Sequence, residues 1–199
     1  MSAEVDLAAA IIQAWYPGQA GGTAVADVLF GDYNPAGRLP VTFYKTTEQL
    51  PDFEDYNMQG RTYRYFKGEA LFPFGYGLSY TSFEIGKAQL SKKRIHANES
   101  VNLDLWIKNT GERDGEEVIQ VYIRKLKDKE GPLKTLRAFK RVHVKSGEKK
   151  QISIHLPNDS FEFFDPEFNV MRVMAGEYEV LYGTSSEGKD LKKIKVRIQ

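Results

Sequence analysis

From residue 101 onwards, apolar and polar residues alternate with a period of two. In the segment 101–108, Val, Leu, Leu and Ile alternate with Asn, Asp, Trp and Lys, and the segments 119–124, 151–156 and 193–198 repeat the pattern. Such alternation places the apolar side chains on one face of a strand, whereas an amphipathic helix needs a spacing of three to four. About seven short strands separated by turn residues predict an antiparallel β-sandwich of the fibronectin III or immunoglobulin type over residues 83–199.

The alternation also predicts which side chains fill the core of this sandwich. The residues expected to face inward are Leu103, Leu105, Ile107, Ile119, Val121, Ile123, Ile152, Ile154, Val180 and Val196. The segment Asn109–Gly115, with sequence NTGERDG, is predicted to form a bulged loop with positive φ at its glycines.

Residues 4–30 follow a different pattern. Apolar residues at helical spacing predict a first helix over residues 4–15 and a second over 23–29, with Gly31 as the left-handed residue that ends it. Both helices are apolar on more than one face, so something larger than the pair has to cover them. We therefore expect residues 4–30 to bind a partner or to self-associate.

The glycines before the second helix raise the question of a phosphate-binding loop. The stretch YPGQAGGTAVADVLFG has no lysine in or just after its glycines, and a helix rather than a strand is predicted to precede it. Both features disagree with the known nucleotide-binding motifs. We expect Gly21 and Gly22 instead to let the helix begin against a close backbone neighbour.

Residues 32–80 combine many Pro and Gly residues with a high density of aromatic ones. Flexible linkers lack such rings, so this part is predicted to be an ordered connector that its aromatic side chains hold against a surface. It contains the acidic cluster Asp52, Glu54 and Asp55. Because glycoside hydrolysis needs only a pair of carboxyl groups, these three residues are the sequence's candidates for direct catalysis.

Composition excludes several other kinds of chemistry. The 199 residues contain no cysteine, which rules out disulfides and a thiolate nucleophile or ligand, and the net charge of +1 gives no general attraction to nucleic acid or to an acidic membrane. His96, His143 and His155 are too far apart in sequence to suggest a metal site. No segment has the features of a signal peptide or of a membrane helix. We expect neither cofactor nor metal.

Several stretches resemble glycoside hydrolase family 3. AWYPGQAGGTAVADVLFGDYNPAGRLPVTFY resembles the end of that family's α/β-sandwich domain, and GRTYRYFKGEALFPFGYGLSYTSFE resembles its connector. NTGERDGEEVIQVYI, PLKTLRAFKRVHVKSGE and MAGEYEVLYGTSS resemble its C-terminal fibronectin type III-like domain. One departure is Ala20, where the family usually has Glu. The order of the stretches implies three parts: residues 1–50 as the tail of the α/β sandwich, 51–82 as the connector, and 83–199 as the fibronectin type III-like domain.

The resemblance implies a parent enzyme of the retaining β-glucosidase or β-xylosidase type, which we expect to be periplasmic or secreted. Its nucleophile would be an aspartate in an N-terminal barrel and its acid/base a glutamate upstream of AWYPG, and this sequence contains neither region. We therefore assign no catalytic, cofactor-binding or metal-binding residue to the chain, and its substrate-binding residues stay unknown.

The expected role is structural support of the missing catalytic domains, without catalysis by the chain itself. Two alternatives stay open. One is an independent carbohydrate-binding module in which exposed Trp106, Tyr122 or Tyr65 stack on sugar rings. The other is an enzyme that uses the carboxylates of residues 52–55.

Overall fold

The computed structural model describes Val5 and residues 7–199, and its centre is a sandwich of two β-sheets. The larger sheet has the order β5 (Arg94–Ile95), β13 (Lys192–Ile198), β12 (Gly176–Gly183), β7 (Gly115–Lys125) and β8 (Thr135–Val144). Its neighbouring strands are antiparallel except for β13 and β5, which are parallel.

The smaller sheet is built around one long strand, β6 (Val101–Asn109). Strand β9 (Lys149–Leu156) pairs with one edge of β6, and the short strands β3 (Phe83–Ile85) and β4 (Gln89–Leu90) share the other edge. The described residues therefore confirm a mainly β fold.

The space between the sheets holds the predicted core. All ten aliphatic residues that the alternation places inward are buried. The pairing register follows the same pattern, since Leu103 lies opposite Ile154 and Leu105 opposite Ile152. A one-residue slip would turn the inward side chains of β6 and β9 away from the core, so the burial of one face fixes the register.

The remaining elements lie outside the sandwich. Strand β1 (Phe43–Tyr44) pairs with β2 (Ala70–Phe72), and helix α2 (Thr62–Tyr65) lies in the chain between them. A hairpin of β10 (Glu162–Asp165) and β11 (Val170–Val173) precedes β12. Three short 3-10 helices complete the list: Thr47–Gln49, Asn158–Phe161 and Gly188–Asp190.

The two predicted N-terminal helices have different outcomes. Helix α1 (Gly21–Phe30) is present, and Gly31 ends it with a φ of 83°, which confirms the left-handed residue. The helix predicted over 4–15 is wrong for residues 7–15, which contain no helix; Met1–Glu4 and Asp6 lie outside the described residues. A helix of about twelve residues is marginal without a surface for its apolar face, and residues 7–20 are exposed throughout.

The loop after β6 also differs from its prediction. It crosses from the smaller sheet to the larger one, and neither Gly111 nor Gly115 has a positive φ. The buried Asn109 side chain shapes it instead: its Oδ1 accepts from the Gly111 backbone N–H at 3.0 Å, and its Nδ2 donates to the Arg113 carbonyl at 2.7 Å.

The register can be tested by truncating one inward residue. Leu105→Ala should lower the free energy of unfolding by about 2–5 kcal/mol, because it removes buried methyl groups and leaves a cavity. Lys195→Ala, at an exposed position of β13, should change it by less than about 0.5 kcal/mol. Urea unfolding followed by tryptophan fluorescence measures both, and equal effects would show that the assigned register is wrong.

Candidate functional site

The N-terminal part of the chain exposes many large apolar side chains to solvent. Seven of them are together called the N-terminal apolar surface: Leu7, Ile11, Ile12, Trp15, Tyr16, Leu29 and Phe30. Tyr16 is 99% exposed, Leu7 88% and Phe30 84%. Isolated exposed hydrophobic residues are normal, but a concentration of them marks a place where another surface binds.

Polar contacts hold helix α1 against the rest of the molecule. The Tyr80 hydroxyl donates to the Val28 carbonyl at 2.7 Å. Just after the helix, the Arg141 guanidinium donates to the Tyr33 hydroxyl at 2.8 Å. Val25 and Val28 are half-buried, whereas Leu29 and Phe30 at the end of the helix remain exposed.

The glycines at the start of α1 have unequal roles. A Cβ on Gly21 would lie 2.4 Å from the Cβ of Pro17, whereas one on Gly22 would meet nothing within 4 Å. The close neighbour of Gly21 is thus the Pro17 ring rather than a backbone, and Gly22 has none, so the prediction of a close backbone neighbour is wrong for both.

The connector covers the outer face of strand β7 with aromatic rings. Tyr63 stacks on Phe74 with ring centroids 4.3 Å apart. Tyr63 also packs against Tyr122 in a T-shaped arrangement, with ring centroids 5.6 Å apart. Tyr122 is completely buried as a result. The prediction of an exposed, sugar-stacking Tyr122 is therefore wrong, because the alternation shows only that this side chain faces away from the core, not what covers it.

A buried hydrogen-bond network joins the connector to β7 at Gln120. The Gln120 amide donates to the Gly75 carbonyl at 3.1 Å and to the Thr184 carbonyl at 2.5 Å. The Tyr122 hydroxyl donates to Gln120 Oε1 at 2.5 Å, and burial raises the pKa of Tyr122, which keeps this hydroxyl a donor. Gly75 has a φ of 82°, and a Cβ there would lie 2.0 Å from Gln120 Oε1.

A buried ion pair forms a second attachment. Arg38 Nη2 lies 2.5 Å from Glu117 Oε1, and the two side chains are only 7% and 8% exposed. Burial raises the pKa of Glu117, while the Arg38 charge acts in the opposite direction. Sequence reasoning overlooked both residues, because nothing near either one in the chain indicates that they meet.

Two of the three candidate carboxylates, those of Asp52 and Asp55, stabilise turns. Asp52 Oδ1 accepts the Glu54 backbone N–H at 3.0 Å, and Asp55 Oδ1 accepts both the backbone N–H and the side-chain amide of Asn57. The hydrogen bonds from Asn57 lower the pKa of Asp55. A general acid for glycoside hydrolysis needs a raised pKa, so the environment of Asp55 is the opposite of what that role requires.

The other two proposed sugar-stacking residues lie at different places. Trp106 is half-buried, with Gly86 against its ring and the Lys149 ammonium 3.9 Å from a ring centroid. Tyr65 is also half-buried and lines a cleft beside the loop that follows β7. Tyr65 is thus the one of the three whose ring borders an open cleft.

The last two features concern metal ligands and membrane-spanning helices. Within Val5 and residues 7–199, no group of three or more His, Asp or Glu side chains is arranged to hold a metal ion. In the same part of the chain, no helix has the length and hydrophobicity needed to cross a membrane.

Two family models match the chain. The glycosyl hydrolase family 3 C-terminal domain matches residues 1–80, and the fibronectin type III-like domain matches residues 117–186.

Individual relatives cover nearly the whole chain but only a fraction of their own length. A xylan 1,4-beta-xylosidase of Xylanibacter ruminicola is 56% identical over 98% of this chain and 22% of its own length. A periplasmic beta-glucosidase of Salmonella typhimurium is 35% identical over 92% of this chain and 26% of its own length. The solved beta-glucosidase 3B of Thermotoga neapolitana, in complex with alpha-D-glucose, matches with a TM-score of 0.87 at 33% identity, over 99% of this chain and 29% of its own. The chain spans about a quarter of the length of these relatives.

The buried ion pair gives a pH-dependent prediction. Arg38→Met leaves the Glu117 carboxylate buried without its partner, which should cost about 3–5 kcal/mol of stability at pH 7. The pKa of Glu117 is raised in the folded state. The free-energy cost of its buried negative charge is therefore absent below the unfolded pKa of about 4.3 and grows as the pH rises through the folded pKa. The difference in Tm between variant and parent should therefore shrink from pH 7 towards pH 4.

Arg141→Met is the matched control, because Arg141 pairs with Glu116 on the surface. It should cost at most about 1 kcal/mol at pH 7. If both arginine variants lost the same stability at every pH, the special role of the buried pair would be refuted.

Proposed function

Because this chain belongs to glycoside hydrolase family 3, as its C-terminal region, we propose that it is the structural part of a β-glycosidase that hydrolyses O-glycosyl bonds. In this proposal the chain supports the catalytic domains and performs no hydrolysis itself. The observation that carries the proposal is the N-terminal apolar surface, which is exposed here and lies in the part that the family 3 C-terminal model matches.

The docking partner in this proposal is the rest of the parent enzyme. Leu29 and Phe30 lie at the end of α1, and polar contacts of Tyr80 and Arg141 fix the backbone there without covering their side chains. The end of the helix is thus attached to the sandwich, and the exposed side chains of the surface are free to contact another domain. Self-association through residues 4–30 would cover the same side chains and is the competing occupant.

We propose the division of the chain as residues 1–50, 51–82 and 83–199. The β-sandwich begins at β3 (Phe83–Ile85), which supports the second boundary. The pairing of β1 with β2 joins residues on both sides of the first boundary, so the connector and the tail act together as one support.

Hydrogen exchange tests whether the N-terminal apolar surface awaits a partner. In the chain alone, the amides of residues 7–30 should exchange much faster than those of residues 101–107 and 119–123, because the latter lie in paired strands of the sandwich. The measurement is made at two protein concentrations, so that self-association appears as concentration-dependent protection. Equal protection of both regions in a monomer would contradict an unsatisfied surface.

Complementation tests the function itself. The chain alone should not hydrolyse nitrophenyl β-xyloside or β-glucoside. Mixed with the N-terminal part of the Xylanibacter ruminicola relative, from which the matching segment has been deleted, it should bind and increase hydrolysis. Leu29→Asp/Phe30→Asp should abolish this gain by placing two carboxylates in the interface.

Phe168→Asp serves as the control, because Phe168 is an exposed ring in the turn between β10 and β11 and is not part of the N-terminal apolar surface. Hydrolysis by the chain alone that disappears in Asp52→Asn or Glu54→Gln would instead support the carboxylates of residues 52–55. Binding that is unaffected by the double Asp variant would refute the proposed surface.

A further inference from the structure

A cleft of about 350 Å³ lies between the connector and the loop that follows β7. One wall contains Gln59, Tyr65 and Lys67, and the other is formed by residues 124–129 and 131–133. We call it the basic cleft. Its volume is at the lower end of the range for small-ligand sites.

The two walls of the basic cleft are tied together by hydrogen bonds. The Gln59 side-chain amide donates to the Glu130 carbonyl at 3.1 Å, and the Leu133 backbone N–H donates to the Arg64 carbonyl at 2.7 Å. Asp128 Oδ1 accepts the Gly131 N–H at 2.8 Å and so closes the loop on itself. The cleft is therefore preformed, which lowers the entropy cost of binding a ligand.

Positive charge dominates the lining. Five cationic side chains border the cleft, Lys67, Arg124, Lys125, Lys127 and Lys129, against a single carboxylate, Asp128. Glu179 neutralises Arg124 in an ion pair of 2.5 Å. Among the residues that the structure describes, Lys67, Lys127 and Lys129 have no ion-pair partner. A cleft with this excess of cations favours an anion.

The Tyr65 ring adds an apolar element to the same cleft. The ring is half-buried, and the Arg64 guanidinium lies 5.6 Å from its centroid, so its position is defined by its surroundings. An aromatic ring beside cationic groups suits a ligand with both an apolar face and a negative group. A sugar ring that bears a carboxylate has both.

We propose that the basic cleft binds a carboxylate-bearing sugar, such as a uronic acid substituent of an oligosaccharide. The choice of a sugar rests on the proposed function, whereas the choice of an anion rests on the lining alone. Nucleic acid fits less well, because the excess charge is confined to one small cleft in a chain whose net charge is +1.

The test is a titration of the 199-residue chain with two sugars that differ in one group. Binding is measured by NMR or calorimetry. The probes are xylotetraose with one glucuronic acid substituent and unsubstituted xylotetraose. The acidic sugar should bind at least about tenfold more tightly than the neutral one, and raising NaCl from 20 to 200 mM should weaken its binding because salt screens the exposed lysines.

Paired variants locate the binding. Lys127→Gln/Lys129→Gln should weaken binding of the acidic sugar about fivefold or more, whereas Lys193→Gln/Lys195→Gln, which removes two exposed lysines of β13, should leave it unchanged. Tyr65→Ala should weaken binding of the acidic sugar, and Tyr65→Phe should retain it because the ring remains.

Three results would overturn the proposal. These are equal affinity for the two sugars, equal effects of the two lysine pairs, and tighter binding of a short single-stranded DNA than of the acidic sugar. The complementation assay is independent of all three, since Lys127 and Lys129 lie outside the N-terminal apolar surface. A chain that complements hydrolysis without binding the acidic sugar would refute the basic cleft alone.

Discussion

The rest of the structure depends on the covering of strand β7 by the connector. Residues 119–123 of this strand are buried on both faces. Ile119, Val121 and Ile123 lie in the core of the sandwich, and Gln120 and Tyr122 lie beneath the connector. Gly75 lets the connector backbone lie against the Gln120 side chain, because a Cβ there would collide with Gln120 Oε1. The Gln120 amide donates to one carbonyl of the connector, Gly75, and to one of the loop after β12, Thr184. Loss of the Gly75 partner while the amide stays buried would cost about 1–3 kcal/mol, so the connector is needed to satisfy this buried group.

This attachment determines where the N-terminal part of the chain lies. The Arg38–Glu117 pair joins the tail segment, residues 1–50, to β7, and contacts at Val28 and Tyr33 attach helix α1. Each of these links is polar and has a defined geometry, so together they orient the helix. They leave Leu29 and Phe30 exposed. The sandwich thus positions the end of the helix, which carries two of the seven residues of the N-terminal apolar surface.

The sequence predicted those features whose cause is local. Alternation identified the ten inward residues, and a glycine after an apolar run identified Gly31 as the end of α1. Tyr122 was misassigned because its covering rings come from residues some fifty positions away in the chain, and Arg38 and Glu117 are separated by 79 positions. The helix expected over 4–15 is absent from residues 7–15 for a related reason, since its apolar pattern needs a surface that the described residues do not supply.

The free energies of burial and of association indicate how tightly the N-terminal apolar surface can hold a partner. Burying a Leu, Ile or Phe side chain contributes about 1.5–3 kcal/mol, so the seven residues of the N-terminal apolar surface represent on the order of 10 kcal/mol when fully covered. Association of two separate molecules costs about 4–15 kcal/mol, which is similar in size. A detached partner would therefore be held weakly by this surface alone. A partner on the same polypeptide avoids most of that cost. The relatives are about four times as long as the segment that matches this chain. In a polypeptide of that length, polar links such as those at Val28 and Tyr33 need only set the orientation in which the surface docks.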